Sequence, residues 1–140
     1  MQLSDRQQEI IEEFQFFDSW MDKYQYLIDL GKELDPLEDA EKSENNLVRG
    51  CQSQVWMVVD GDADHVTVRA NSDAAIVSGL IALVVRLYSD ASAEDIIKTE
   101  PEFVEAIGLS QHLSPTRANG LSSMLQRLKA EAAQLVAKSS

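Results

Sequence analysis

The 140-residue sequence has a single cysteine, Cys51, and few basic residues. One cysteine excludes an internal disulfide, a Cys-x-x-Cys redox pair and a thiolate cage for a metal or cluster, so another molecule must complete any sulfur chemistry. Twelve lysines and arginines stand against 24 aspartates and glutamates, which gives a formal net charge of −12. Such a chain repels phosphate backbones, which argues against nucleic acid as a partner. The acidic surface either favours a partner with a positive patch or simply keeps the protein in solution.

Long apolar runs and export signals are also missing. The most hydrophobic run, residues 74–85, is far shorter than the roughly 20 residues of a membrane span, so we expect a buried helix and no membrane partner. The N-terminus lacks a basic region followed by an apolar stretch. Together with the unpaired cysteine, this predicts a protein of the reducing cytoplasm.

Signatures of several enzyme classes are absent as well. The sequence has no Gly-x-Ser-x-Gly elbow and no phosphate-binding glycine loop. A metal site needs three or four convergent ligands, which one cysteine and two scattered histidines do not offer. A catalytic pair of Cys51 with His65 or His112 is conceivable, although sequence alone brings neither histidine near the thiol.

Hydrophobic periodicity predicts two helices at the N-terminus. A capping box at residues 4–7 opens the first helix. Asp18-Ser19 interrupts the apolar stripe and restarts it as a second helix, which Pro36 closes. The acidic stretch 35–46 has no periodicity and is interpreted as an exposed loop.

The spacing of apolar residues then changes from that of a helix to that of a strand, which predicts a small antiparallel sheet. Residues 45–49 form an extended piece, and strands are expected over 54–59 and 65–70, joined by a hairpin at Asp60-Gly61. A sheet of two or three strands is stable only when a helix covers its apolar face.

The covering helix is expected from Ala74 to about Tyr88, capped by Ser72 or Asp73. Shorter helices follow from Ser92 and from Pro101 to Gly108, and a last helix runs from Ser114-Pro115 to about Lys138, through Asn119-Gly120. The predicted fold class is α+β, with N-terminal helices, then strands, then C-terminal helices in one domain over 1–140.

Cys51 lies where a turn meets a strand. Gly50 precedes it and small polar residues follow it, so the thiol is expected at the mouth of a strand, within reach of a partner. A thiol is nucleophilic as the thiolate, and a nearby cation such as Arg49 would lower its pKa. The competing interpretation is a small buried hydrophobic residue.

Three segments together resemble the SufE family. They are Gly50-Cys51-Gln52-Ser53-Gln54-Val55-Trp56, Ser72-Asp73-Ala74-Ala75-Ile76-Val77-Ser78-Gly79-Leu80 and Leu113-Ser114-Pro115-Thr116-Arg117-Ala118-Asn119-Gly120-Leu121. They occur in order at suitable separations over nearly the whole chain. The related CsdE proteins share the pattern, and the sequence does not separate the two groups.

The resemblance implies a fold like that of the IscU scaffold and a role in sulfur transfer. Members take sulfur from a SufS-like or CsdA-like cysteine desulfurase, hold it as a persulfide on the cysteine matching Cys51, stimulate the desulfurase, and pass sulfur to a SufBCD-like scaffold complex. Pyridoxal phosphate belongs to the desulfurase, so this chain is expected to bind no cofactor and no metal. A sulfurtransferase-like carrier of this kind is not expected to turn over alone.

The resemblance assigns a supporting role to Arg117, which matches an arginine that faces the desulfurase; the alternative is a solvent-exposed arginine in the first turn of a helix. The roles of the other residues are inferred from the residues themselves. Asp73 is a candidate to cap the central helix and to hold the neighbouring loop, and capping alone is the favoured explanation. Gln52 is expected to bond the turn and shape the sulfur pocket. Gly50 gives the turn freedom to move, so that Cys51 is tucked inward when free and swings out when bound. Trp56 is predicted to be core, with part of its ring lining the sulfur pocket.

Three hypotheses remain open on the sequence. The first is a sulfur acceptor and desulfurase activator that works through Cys51. The second is a docking module that stimulates a desulfurase and whose cysteine is incidental. The third is an independent thiol enzyme, such as a peroxidase or a transferase.

Overall fold

The computed structural model describes residues 2–139 and confirms the predicted α+β class. Within those residues, two strands stand between two N-terminal helices and a C-terminal set of five. The helices are α1 (Leu3–Gln15), α2 (Trp20–Lys32), α3 (Ala75–Tyr88), α4 (Ala93–Lys98), α5 (Phe103–Ile107), α6 (Leu109–His112) and α7 (Pro115–Ser139), and the strands are β1 (Val55–Gly61) and β2 (Val66–Ser72).

The two strands form an antiparallel hairpin with one buried face. Met57 pairs with Ala70 and Val59 with Val68, so alternate apolar side chains of both strands point to the same side. Both strands extend beyond their predicted ends, to Gly61 and Ser72. Isolated bridges, Leu47 with Trp56 and Val66 with Ala91, extend the pairing at the two edges.

Helix α3 covers the buried face of the hairpin, as predicted. It carries no charged residue before Arg86 and buries most of its side chains, including Leu80, Leu83 and Leu87. Helix α2 packs along it very closely. A Cβ at Gly79 would lie well inside 3.0 Å of the Leu27 carbonyl oxygen, so this crossing requires a glycine.

The predicted start of the first helix is wrong. The helix begins at Leu3 rather than after a box at residues 4–7, with Gln2 as its N-cap and the Gln2 amide donating to Asp5 Oδ2 at 3.3 Å. Leu3 is buried. Extending the helix by this turn places an apolar side chain in the core, which outweighs the local signal of the serine.

The predicted exposed loop over 35–46 is only partly correct. It contains two short 3₁₀ turns, Asp39–Glu41 and Glu44–Asn46, and the second replaces the start of the extended piece expected at 45–49. Leu37 is buried, and its amide donates to Asn71 Oδ1 at 2.7 Å. The acidic composition predicts that this segment is exposed to solvent. The Asn71 side chain of β2 nevertheless binds it to the sheet.

Local sequence signals correctly predict two of the later helix ends. Ser92 caps α4, and Gly108 ends α5 with a φ of 94°, as predicted. Helix α7 continues through Asn119-Gly120, whereas α6 was not predicted. Asp73 does not cap α3, because Ala74 is the N-cap residue and its amide donates to Ser72 Oγ at 3.2 Å.

None of the helices described for residues 2–139 is both long enough and apolar enough to cross a membrane.

Replacing Gly79 by alanine should destabilise the fold. The new methyl group would push α2 away from α3, which should lower the free energy of unfolding by about 1–3 kcal/mol, measured by urea denaturation. Gly120→Ala is the matched control, because a Cβ there meets Cys51 Sγ at an ordinary 3.5 Å. Equal stability of the two variants would contradict close packing of α2 against α3.

Candidate functional site

Cys51 lies on a short loop that leaves and re-enters the edge of the sheet. The loop covers residues 49–54 and is closed at its base, where the Val48 amide donates to the Val55 carbonyl oxygen at 2.8 Å. Val48 and Val55 are both buried. The core therefore fixes the two ends of the loop and leaves the residues between them at the surface.

The backbone at Gly50 requires a glycine. Its φ is +92°, a left-handed conformation that side chains rarely adopt. A Cβ there would also lie inside 3.0 Å of the Ser123 hydroxyl oxygen on α7. Gly50 thus lets the loop turn sharply while resting on α7.

The Cys51 thiol rests against Gly120 of α7. Its Sγ donates to the Gly120 carbonyl oxygen at 3.5 Å, and the side chain is half-buried. Only the protonated thiol can make this contact, since a thiolate would face the negative end of a carbonyl dipole. In this position the sulfur is held as a thiol, in contact with the backbone of Gly120.

Burial raises the pKa of the Cys51 thiol, because the charged thiolate loses contact with water. The prediction that Arg49 lowers this pKa is wrong for this conformation. Arg49 is exposed, and desolvation accounts for the shift of the thiol pKa. The resting sulfur is therefore less nucleophilic at neutral pH than a free cysteine.

A cleft of ≈ 360 Å³ opens beside the sulfur. Its apolar floor comes from α3 and α7, and its polar rim from the loop and the start of α7. The lining residues are Cys51, Gln52, Ser53, Val77, Leu80, Ser114, Thr116, Arg117, Gly120, Leu121 and Met124. Among these described lining residues, Arg117 alone is charged, which places one cation at the rim in a protein of net charge −12.

Asp73 holds the downstream end of the loop. Its Oδ1 accepts from the Gln54 amide at 3.2 Å, and its own amide donates to the Gln54 carbonyl oxygen at 3.4 Å. Of the two roles predicted for Asp73, the structure thus places it at the loop and not at the helix cap.

Arg127 holds the chain upstream of the loop, and the sequence did not single it out. Its Nη1 donates to the Leu47 carbonyl oxygen at 2.8 Å and its Nη2 to the Asn45 carbonyl oxygen at 2.7 Å. Its spacing of seven residues from Gly120 puts both on one helix face. The seven-residue spacing could identify Arg127 from the sequence, but only once Gly120 is known to contact Cys51.

Two other predicted neighbours take different positions. Gln52 lines the cleft and is exposed, but its side chain makes no hydrogen bond within residues 2–139. Trp56 is half-buried on the face of the sheet opposite the core, where Lys42 Nζ lies 5.7 Å from its ring. The prediction of Trp56 as a core residue beside the sulfur is wrong, because side chains alternate along β1 and Val55 and Met57 take the inner face.

Neither histidine joins Cys51 in the described cleft. His65 Nε2 lies 3.0 Å from Asp90 Oδ1, and both side chains are exposed. His112 stacks on Trp20 with 3.9 Å between ring centroids. In the described part of the chain, no group of three or more His, Cys, Asp or Glu residues could hold a metal ion.

The sequence matches the family model described as "SufE: Fe-S metabolism associated domain" over residues 8–132. The chain belongs to the SufE family. An uncharacterized SufE-like protein of Rhizobium meliloti (strain 1021) is 43% identical over 129 residues, which cover 89% of this chain and 92% of that protein. SufE membership assigns the chain to iron–sulfur metabolism.

A solved structure shares the fold. The solution structure of a hypothetical protein from Thermus thermophilus superposes with a TM-score of 0.77, covering 94% of this chain and 96% of that one. Its sequence identity is 21%, so the likeness concerns the fold alone. The α+β arrangement of this SufE chain is therefore found in an experimental structure.

Removing the Asp73 carboxylate should loosen the Cys51 loop. In Asp73→Ala the Gln54 amide loses its partner, so the rate of Cys51 alkylation by iodoacetamide should rise about threefold to fivefold. Asp62→Ala is the matched control, because Asp62 Oδ1 accepts from two backbone amides in the β1–β2 turn. Equal alkylation rates in Asp73→Ala and wild type would contradict the anchoring role.

The pH dependence of alkylation should report the burial of Cys51. Since burial raises the thiol pKa, the thiolate forms only at higher pH, and the midpoint of the rate profile should lie above that of the urea-unfolded chain. Iodoacetamide rates measured from pH 6 to about 11 on both states test this. A folded midpoint at or below the unfolded one would show that a nearby positive charge outweighs burial.

Proposed function

We propose that this SufE-family chain is a sulfur acceptor that takes persulfide sulfur from a cysteine desulfurase onto Cys51 and passes it on to iron–sulfur cluster assembly. The observation that carries the proposal is the position of the thiol. Cys51 lies at the lip of a cleft, on a loop with fixed ends, and against a helix that offers no side chain at that point.

The chemistry needs one thiol on this chain. The desulfurase presents a persulfide, and Cys51 loses its proton and attacks the terminal sulfur as a thiolate. A new sulfur–sulfur bond forms on Cys51, the old one breaks, and its electron pair leaves with the desulfurase cysteine, which then takes up a proton. This exchange follows the rules of thiol–disulfide exchange and needs no external oxidant or reductant.

The cleft suits the product of this step. A persulfide adds one sulfur atom to the side chain, and the apolar floor offers it a site sheltered from water. Val77, Leu80 and Met124 are all buried and face this space. Shelter of this kind would protect the bound sulfur from oxidation and from adventitious thiols until an acceptor arrives.

Arg117 suits the docking of the donor. Its guanidinium is exposed at the rim and pairs with no carboxylate among the described residues. A guanidinium fork binds a carboxylate through two parallel hydrogen bonds, so we assign Arg117 to a carboxylate of the desulfurase, SufS-like or CsdA-like. Pyridoxal phosphate stays with that enzyme, and the downstream acceptor is a SufBCD-like scaffold complex in the cytoplasm.

The position of the histidines supports a carrier over an independent thiol enzyme. A cysteine nucleophile that works alone usually has an adjacent base. His65 and His112 are engaged elsewhere, and neither is among the described residues that line the cleft. The raised thiol pKa likewise suits a sulfur that is activated by a partner.

The mass of the protein after incubation with a desulfurase tests the proposal. With desulfurase, pyridoxal phosphate and cysteine, wild type should gain about 32 Da, lost on reduction and absent in Cys51→Ala. Stimulation of the desulfurase should vanish in Cys51→Ala, since the donor site can no longer be emptied. Arg117→Ala should weaken the stimulation through a higher apparent dissociation constant, with iodoacetamide reactivity unchanged.

Two results would replace the proposal by another function. Stimulation that survives in Cys51→Ala would indicate a docking module with an incidental cysteine. Turnover of a peroxide or thioester substrate without any desulfurase would indicate an independent thiol enzyme.

A further inference from the structure

Helix α7 carries a row of residues beneath the chain that leads to Cys51. Gly120, Ser123 and Arg127 are spaced three and four residues apart and so lie on one helix face. Gly120 meets Cys51, Ser123 lies under Gly50, and Arg127 binds the carbonyl groups of residues 45 and 47. Residues 45–51 therefore run along α7 in the direction opposite to the helix.

Of the three residues in this row, Arg127 makes polar contacts at the position farthest from the Cys51 sulfur. Its two terminal nitrogens bind two carbonyl oxygens that are two positions apart in the chain, which matches the fork of a guanidinium. Its Nε lies 3.5 Å from Glu131 Oε2, one helical turn further along α7. This ion pair places a carboxylate beside the guanidinium, although Glu131 Oε2 accepts no hydrogen bond among the described residues.

Apart from the hydrogen bond between Val48 and Val55, the segment that Arg127 holds has little support from the sheet. Leu47 joins the sheet by one isolated bridge to Trp56, and Asn45 lies in a 3₁₀ turn. Downstream of the sulfur, Asp73 and strand β1 hold the chain. The loop is thus anchored downstream by β1 and Asp73, and upstream by buried Val48 together with the Arg127 side chain of α7.

We infer that Arg127 is a positioning residue that holds the Cys51 loop against α7 and sets how often the thiol is exposed. The inference rests on the proposed function, because loop release matters when Cys51 must reach a donor. Without Arg127, residues 45–47 are held less firmly against α7, so residues 49–51, beyond the buried Val48, can lift more often and carry the sulfur off Gly120. The backbone freedom of Gly50 absorbs the change.

Lys129 provides a matched comparison within the same helix. Its Nζ donates to the carbonyl oxygens of Ile96, Ile97 and Thr99 at 2.9, 3.0 and 3.0 Å. It is also a cation of α7 that binds backbone carbonyl groups of another segment. Its segment is the end of α4, and none of these residues lines the described cleft.

Alkylation of Cys51 by iodoacetamide, measured on the full chain, separates positioning from general stability. Arg127→Gln should raise the rate about fivefold or more, because the loop opens more often. Lys129→Gln should leave the rate within about twofold of wild type. The midpoint of the pH profile should fall toward that of free cysteine in Arg127→Gln but not in Lys129→Gln. Arg127→Lys should lie between, because an ammonium group lacks the fork that spans both carbonyl oxygens.

Two results would overturn the inference. Equal acceleration in Arg127→Gln and Lys129→Gln would show that lost stability, and not loop position, exposes the sulfur. An unchanged rate and pH midpoint in Arg127→Gln and Arg127→Lys would show that Arg127 does not hold the loop. Arg127→Lys keeps the charge, so it serves if Arg127→Gln does not fold. No desulfurase enters this assay, so its result is independent of whether wild type gains sulfur.

Discussion

Helix α3 is apolar on nearly all sides, and the need to bury it determines where the other elements lie. A two-stranded hairpin is not stable alone, so it places its apolar face on α3. Helix α2 approaches α3 so closely that Gly79 has no room for a side chain. Helix α7 covers part of the remaining apolar surface of α3. Val77 and Leu80 of α3 line the cleft between α7 and the Cys51 loop. The floor of the cleft is thus a part of the core that the loop covers incompletely.

The same helix that closes the core also supports the loop. One face of α7 supplies Leu121, Met124 and Leu128 to the interior, and the neighbouring face supplies Gly120 and Arg127 to the Cys51 segment. Burial of the first face fixes the second face in place. A loop that rests on such a helix has a defined position without being part of the core, which leaves it free to move at modest cost.

The sequence predicts features of this structure that depend on neighbours along the chain. The buried central helix follows from its composition, and the restart at Asp18-Ser19, the helix start at Ser92 and the stop at Gly108 follow from contacts within one turn. The anchors of the loop do not follow, because Asp73 and Arg127 bind backbone groups 19 and about 80 residues away in sequence. No local pattern marks such a pair, since a carboxylate or guanidinium bound to a backbone group looks in sequence like any surface charge.

The position that shelters the Cys51 sulfur also lowers its reactivity. Burial raises the thiol pKa, and the Gly120 carbonyl oxygen favours the protonated form. Under the proposed function, departure from α7 would restore both water and ionisation, so release of the loop and activation of the nucleophile would be the same event. A partner that binds the released loop would provide the free energy for both, and a partner that does not bind it would meet a protonated thiol. For the proposed sulfur carrier, which would accept sulfur from one protein and refuse other electrophiles, this coupling gives selectivity without a histidine among the described residues that line the cleft.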